Sequence, residues 1–307
     1  MVKISVIGAG MVGATVVQRL VESGLWDVVM VDIVEGLPQG KALDLLESAP
    51  LCGFDVDVVG SNDYRDIESS DVVVVTAGIP RKPGMTRDDL IKINSGIVQD
   101  VCSGVVEYAS GAVLLVVTNP LDVMTYAGLK YTGFEPSRVL GMSGVLDSAR
   151  FASFVALELD CSMRDVHAMV IGSHGDMMVP VPEYTTVSGI PITQLLSSGV
   201  VERLVSRTVN AGAELVDLLK TGSAFYAPSA AIIKMVEAVV CNRRSIMPAC
   251  VYLDGEYGFS DLCLGVPVRL GRGGILDVIK LDLESETMEA LNRSADSVRA
   301  SLTDLEL

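Results

Sequence analysis

An alternation in the first half of the chain most constrains its fold. Runs at 3–7, 28–32, 56–59, 72–76 and 113–118 are short, β-branched and almost wholly apolar, and helical patterns at 12–23, 39–48 and 87–108 lie between them. A strand that is apolar at every position is buried on both faces, and two-faced burial belongs to parallel sheets covered by helices. Strand–helix–strand repetition of this kind forms right-handed crossovers. Beyond residue 144 the rhythm changes. Helical patterns at 145–159, 200–219, 229–240 and 285–302 surround strand-like runs at 166–171, 246–253 and 263–270. The expected architecture is α/β: a doubly wound parallel sheet over 1–144, then a mixed α+β domain over 145–307. No linker separates the two, so they should pack tightly.

The first strand runs into "VIGAGMVG", a GxGxxG loop that opens a helix. Gly8 permits the tight turn, Gly10 lets the backbone approach a pyrophosphate, and Gly13 allows the helix to pack close to the strand. The helix N-terminus offers unpaired N–H groups and a positive dipole end to phosphate. Asp32 ends the second strand, nineteen residues after Gly13. A carboxylate there accepts hydrogen bonds from the adenosine ribose and repels a 2′-phosphate, which selects NAD over NADP. Loop, strand order and acid together describe a Rossmann nucleotide-binding domain.

Composition narrows the partners. Asp and Glu number 39 against 23 Lys and Arg, a formal charge of -16. Such a surface repels nucleic acid and anionic lipid, and a small anionic substrate needs a local cationic pocket. Six scattered cysteines without a CxxC pair suit reduced, mostly buried thiols, not a disulfide framework or a metal site. No run reads as a membrane span or signal peptide, which makes the cytoplasm the expected compartment.

Four polar segments interrupt the pattern. "AGIPRKPGMTRDDL" follows the fourth strand, where ligands of open α/β sheets bind, and its Pro and Gly suit a closing lid that carries Arg81 and Arg87. "VTNPLD" caps the fifth strand; Pro120 disfavours helix at Asn119 and holds its amide at the strand end. "GVLDSARF" sets Asp147 and Arg150 three apart on one helix, either a plain ion pair or two groups with separate partners. In the second case Arg150 grips a carboxylate with its planar fork, and Asp147 orients an imidazole. "IGSHGDMMVP" holds His174, one of only two histidines, in a stretch that reads as exposed and pliable. Its ordinary pKa near neutrality suits proton transfer in both directions. The other histidine, His167, reads as structural.

Taken in order and spacing, "GAGMVG", Asp32, "PRKPGMTRDDL", "TNP", "VLDSAR", "GSHGD", "LKTGSAFYAPSAA" and "DGEYG" resemble the lactate/malate dehydrogenase family, most closely its NAD-dependent malate dehydrogenases of the bacterial, lactate-dehydrogenase-like branch. The resemblance spans essentially the full length. It implies a substrate-binding, catalytic second domain and NAD as cofactor, held by Gly8, Ala9, Gly10, Met11, Val12, Gly13 and Asp32, with Asn94, Val117, Thr118 and Asn119 toward the nicotinamide. It further implies His174 as proton acceptor, Asp147 as its partner, Arg150 on the C1 carboxylate, Arg87 on the C2 oxygen, and a homodimer or homotetramer. Ser173 departs from the glycine many relatives carry, and could stiffen the loop or bond the cofactor.

Arg81 chooses among 2-hydroxy acids. Facing the methyl group of pyruvate it would be desolvated and unpaired; facing malate or oxaloacetate it pairs with the second carboxylate. Malate is the expected substrate. Lactate-type oxidoreduction is the nearest alternative, and a catalytically silent NAD-binding protein is the other.

Overall fold

The computed structural model describes residues 2–80 and 84–305. In chain order the first half runs β1 (Lys3–Ile7), α1 (Met11–Glu22), β2 (Asp27–Val31), α2 (Leu37–Cys52), β3 (Val58–Ser61), β4 (Val72–Val75), α3 (Arg87–Tyr108), β5 (Val113–Val116), α4 (Leu121–Thr132) and β6 (Val139–Gly141). The second half runs α5 (Gly144–Leu159), β7 (Val166–His167), β8 (Val170–Gly172), β9 (Met178–Pro180), β10 (Thr186–Val187), β11 (Ile190–Pro191), α6 (Ile192–Leu195), α7 (Ser198–Leu219), α8 (Tyr226–Val240), β12 (Ser245–Asp254), β13 (Ser260–Gly271), β14 (Gly274–Val278) and α9 (Ser285–Leu302).

The first six strands pair in parallel in the order β3-β2-β1-β4-β5-β6. The order reverses between β1 and β4, so a crevice opens outside their carboxyl ends, where ligands of doubly wound sheets bind. Burial follows the two-faced pattern. Val72 and Val74 join the core on one face, Val73 and Val75 the core on the other, and all four are buried. Helices α1 and α8 pack on the first face, and α3 and α4 cover the second.

Three differences from the sequence reading have physical causes. The helix α4 was not expected. From Leu121 to Leu129 every residue is buried, so no polar face betrays its period. The run expected as one strand at 166–171 divides: β7 pairs with β10 in a small separate sheet, whereas β8 joins β13 and β9 in the large one. His167 therefore lies exposed on β7 and is not held in a core. Finally, the large sheet does not stop at the middle of the chain. β6 meets β12 in antiparallel fashion at Gly141 and Cys250, and β13 then reaches β8 at Gly265 and Gly172. The strand that delivers His174 is thus hydrogen-bonded, through two others, to the nucleotide-type sheet.

Of the cysteines, Cys102, Cys250 and Cys263 are buried and Cys161 is half-buried, but Cys52 and Cys241 are exposed; all six are free thiols. Among the described residues no helix is long and apolar enough to cross a membrane.

Candidate active site

The glycine loop is built for close approach. Gly8 has φ +107, and a Cβ there would lie 2.7 Å from the Ala77 amide nitrogen. At Gly13 a Cβ would collide with the Gly8 carbonyl. Gly10 is the N-cap of α1; it offers no capping side chain, and nothing lies within 4 Å of where its Cβ would be. The space beside the α1 N-terminus is therefore open at Gly10, which fits close approach of a pyrophosphate. Met11, beside it, is exposed. Asp32 accepts from the Ala9 amide at 2.6 Å and from the Val34 amide at 2.9 Å, so it also braces the loop. Sequence reading missed Lys41, on α2, whose Nζ donates to the Ala9 carbonyl at 2.5 Å. A lone lysine in a helix carries no signal for such a contact.

Side chains fasten the loops at the strand tips to one another. Thr76 Oγ1 donates to the Gly8 carbonyl at 3.1 Å, and Thr118 Oγ1 to the Ala77 carbonyl at 2.6 Å. Val117 and Thr118 are buried, and Asn119 is exposed just beyond them, joined to Pro120 by a cis peptide. Asn94 is wholly buried on α3. Its amide accepts from Ile79 N at 2.9 Å and donates to the carbonyls of Ile79 and Asn119 at 3.1 and 2.6 Å. Both of its donors are spent on main chain, so Asn94 ties the loop after β4 to the loop after β5. Arg87 is exposed in the first turn of α3, which a reciprocal capping box between Thr86 and Asp89 holds in register. Arg81 lies outside the described residues.

His174 sits between β8 and β9; its surroundings in the sequence suggested exposure, but its side chain is only 15% accessible. Nδ1 is 2.8 Å from Oδ2 of Asp147, which is buried on α5. A carboxylate only accepts, so Nδ1 carries the proton and Nε2 is left for exchange. Arg150 Nη1 donates to the other oxygen of Asp147 at 3.2 Å. The intrahelical pair and the imidazole partnership therefore coexist on one carboxylate. Arg150 Nε is buried with no hydrogen-bond partner among the described residues, an unspent donor that suits an incoming carboxylate. Burial is the largest influence on the His174 ring and pulls its pKa down. The charge and hydrogen bond of Asp147, with the charge of Asp122, outweigh it against the opposing charge of Arg150, and the net shift is upward from 6.5.

The main chain of His174 donates to Asp122 Oδ2 at 2.9 Å, across from the first turn of α4. Asp122 was not singled out in the sequence, where it reads as one more acid after a turn. Ser173 is settled by its partner: its amide donates to Ser294 Oγ on α9 at 2.8 Å, and the two hydroxyls are 3.2 Å apart. That hydroxyl is buried against α9 rather than turned toward a cofactor. Backbone freedom in the loop resides in Gly172 and Gly175, at φ +81 and +140.

A nucleotide-type crevice together with a largely buried histidine paired to a carboxylate fits the class of dinucleotide-dependent dehydrogenases. Within that class, the chain belongs to the lactate/malate dehydrogenase family. Residues 2–141 match the family's NAD binding domain and residues 144–306 its alpha/beta C-terminal domain. The chain is 57% identical to the malate dehydrogenase of Methanosarcina mazei over 307 residues, covering 100% of both. It superposes on the malate dehydrogenase from Salinibacter ruber with a TM-score of 0.94 at 50% identity, covering 98% of this chain and 97% of that one. The lactate dehydrogenase from Cryptosporidium parvum, complexed with lactic acid and NAD, gives 0.94 at 39% identity with the same coverage.

Proposed function

We propose that the chain is an NAD-dependent malate dehydrogenase interconverting (S)-malate and oxaloacetate, with residues 1–144 as the nucleotide domain and 145–307 as the substrate domain. The observation that carries this reading is the 2.8 Å contact of His174 with a buried Asp147 whose second oxygen holds Arg150. Bound NAD supplies the two-electron acceptor for the hydride leaving C2. The chain's own residues do the rest. His174 Nε2 takes the hydroxyl proton, and Asp147 stabilises the imidazolium that results. Arg150 grips the C1 carboxylate, Arg87 polarises the C2 oxygen, Asn119 fixes substrate and nicotinamide, and Arg81 pairs with the second carboxylate. The glycine loop, residues 8–13, cradles the pyrophosphate, and Asp32 takes the ribose hydroxyls. The proposed setting is the cytoplasm, and the proposed assembly is a homodimer or homotetramer. The exposed Leu43, Leu46 and Leu51 on α2 support subunit contact.

One assay tests the whole: the purified chain with oxaloacetate or pyruvate, each with NADH or NADPH. Oxaloacetate with NADH should win. The likeness to the Cryptosporidium lactate dehydrogenase favours the second reading, lactate chemistry, and pyruvate reduced as fast as oxaloacetate would establish it. Arg81→Gln separates the two at the residue level. Leaving a carboxylate unpaired costs roughly 3 kcal/mol, so kcat/KM for oxaloacetate should fall about 100-fold while that for pyruvate does not. An unchanged ratio removes Arg81 from substrate choice. Asp32→Ala should raise KM for NADH by about 10-fold or more, since charge-assisted hydrogen bonds contribute about 1.5–3 kcal/mol. It should also narrow the preference over NADPH. A variant as NADH-selective as the parent would transfer that selection to another group.

A further inference from the structure

Asp122 has no task in the chemistry above, yet it is 5% exposed and ionisable. Oδ2 accepts the His174 amide at 2.9 Å, and Oδ1 has no hydrogen-bond partner among the described residues. A buried carboxylate with an oxygen unserved is unfavourable, and an apolar side chain would fill the space better. Its surroundings on every packed element are specific. The loop between β8 and β9 brings His174, and α5 brings Asp147 and Arg150 against the same imidazole. β12 and β13 bring the thiols of Cys250 and Cys263. On α3 the Cys102 thiol is directed at the Gly128 carbonyl, further along α4, and the buried face of α9 is neutral. Burial, then Cys263, holds Cys250 well above its ordinary range, so it carries no charge near neutrality. Among the described residues the imidazole is thus the one group that alternates charge beside Asp122 in the neutral range.

We propose that Asp122 is a positioning residue for proton transfer: it straps the His174 main chain to the segment bearing Asn119, and its carboxylate is a second counter-ion for the imidazolium, behind Asp147. The idea rests on His174 as the acid–base group. Asn119 precedes Asp122 by three residues across Pro120, so one strut holds the substrate amide and the imidazole in a common frame. It also joins the two halves of the chain, since Asp122 lies in the first and His174 in the second. Burial lifts the Asp122 carboxyl to about 6, against the His174 amide, the Cys250 thiol and the His174 charge, which hold it down. As Asp122 gains its proton on acidification, the imidazolium loses this counter-ion.

The test reads the imidazole directly. The chain has only two histidines, and His167 is exposed on β7, so NMR of histidine-labelled protein gives one probe and one internal reference. Asp122→Asn keeps an acceptor for the His174 amide and removes only the charge. The His174 midpoint should fall by about half a pH unit or more with His167 unmoved. The pH profile of kcat/KM should move with it, and KM for oxaloacetate should change less than kcat. Asp122→Ala removes the strut as well and should cost about a further tenfold in kcat. Cys250→Ala leaves both Asp122 and His174 in place; it removes a group that holds the Asp122 carboxyl down, and should shift the His174 midpoint the same way by less. A His174 midpoint unmoved in Asp122→Asn, or in Cys250→Ala should the former not fold, refutes the counter-ion. Wild-type kcat in Asp122→Ala refutes the strut. A parent chain without turnover on any 2-hydroxy acid would overturn the proposed function, while the titration still decides Asp122.

Discussion

His174→Asn lowers oxaloacetate turnover by about 10²–10⁴-fold, the span lost with a positioned general acid–base, while NADH affinity measured by calorimetry holds. The asparagine amide still offers an N–H to Asp147, so the buried carboxylate keeps a partner and the loss is not one of folding. The residual rate comes from positioning alone, because Arg150, the strand-tip loops and the glycine loop are untouched. In the parent chain the same group sets the pH dependence. Asp147 and Asp122 hold the ring above its ordinary value despite burial. Malate oxidation needs the neutral ring, so its kcat/KM rises as pH climbs through that raised value. Oxaloacetate reduction needs the imidazolium, so its kcat/KM falls over the same window. Turnover retained within a few-fold would remove His174 from the chemistry. An inflection below the usual histidine range would contradict the two-carboxylate setting.

The parts that could be read beforehand are those in which one residue type has one physical meaning. Four consecutive valines at 72–75 cannot face water on either side, so they announced a covered parallel strand. GxGxxG followed by Asp32 announced the crevice, because only glycine admits the contacts at Gly8 and Gly13. Asp147, Arg150 and His174 were legible as a chemical set, and the fold brings all three together. What was hidden depends on the third dimension. Helix α4 is buried all round and has no amphipathic period. The glycines around His174 suggested solvent, yet α5 and α9 close over the loop through Asp147 and Ser294. That Asn94, expected as a cofactor contact, also clamps two strand-end loops together shows only once its burial is known. Asp122 gave no sign at all, since an acid after a turn is ordinary until its burial is known.

Arg150→Lys tests whether the guanidinium binds substrate or serves only as an ion-pair partner. Lysine keeps the positive charge near Asp147 but loses the planar fork and the Nε donor that lies buried and unpaired. If Arg150 anchors the C1 carboxylate, two parallel charge-assisted hydrogen bonds are replaced by one of poorer geometry. That loss, about 2–4 kcal/mol, should lower kcat/KM for oxaloacetate by roughly 30- to 1,000-fold. Most of it should appear in KM, since the carboxylate is held alike before and during reaction. NADH binding should not move. Arg150→Gln, which removes the charge, should lose more and also raise the His174 midpoint, because the Arg150 charge now opposes the imidazolium. The alternative gives the opposite division. An arginine that only completes the pair with Asp147 would, when replaced, shift the pH profile and lower thermal stability while KM stayed constant. The KM-to-kcat split in Arg150→Lys therefore decides between a substrate anchor and a structural pair.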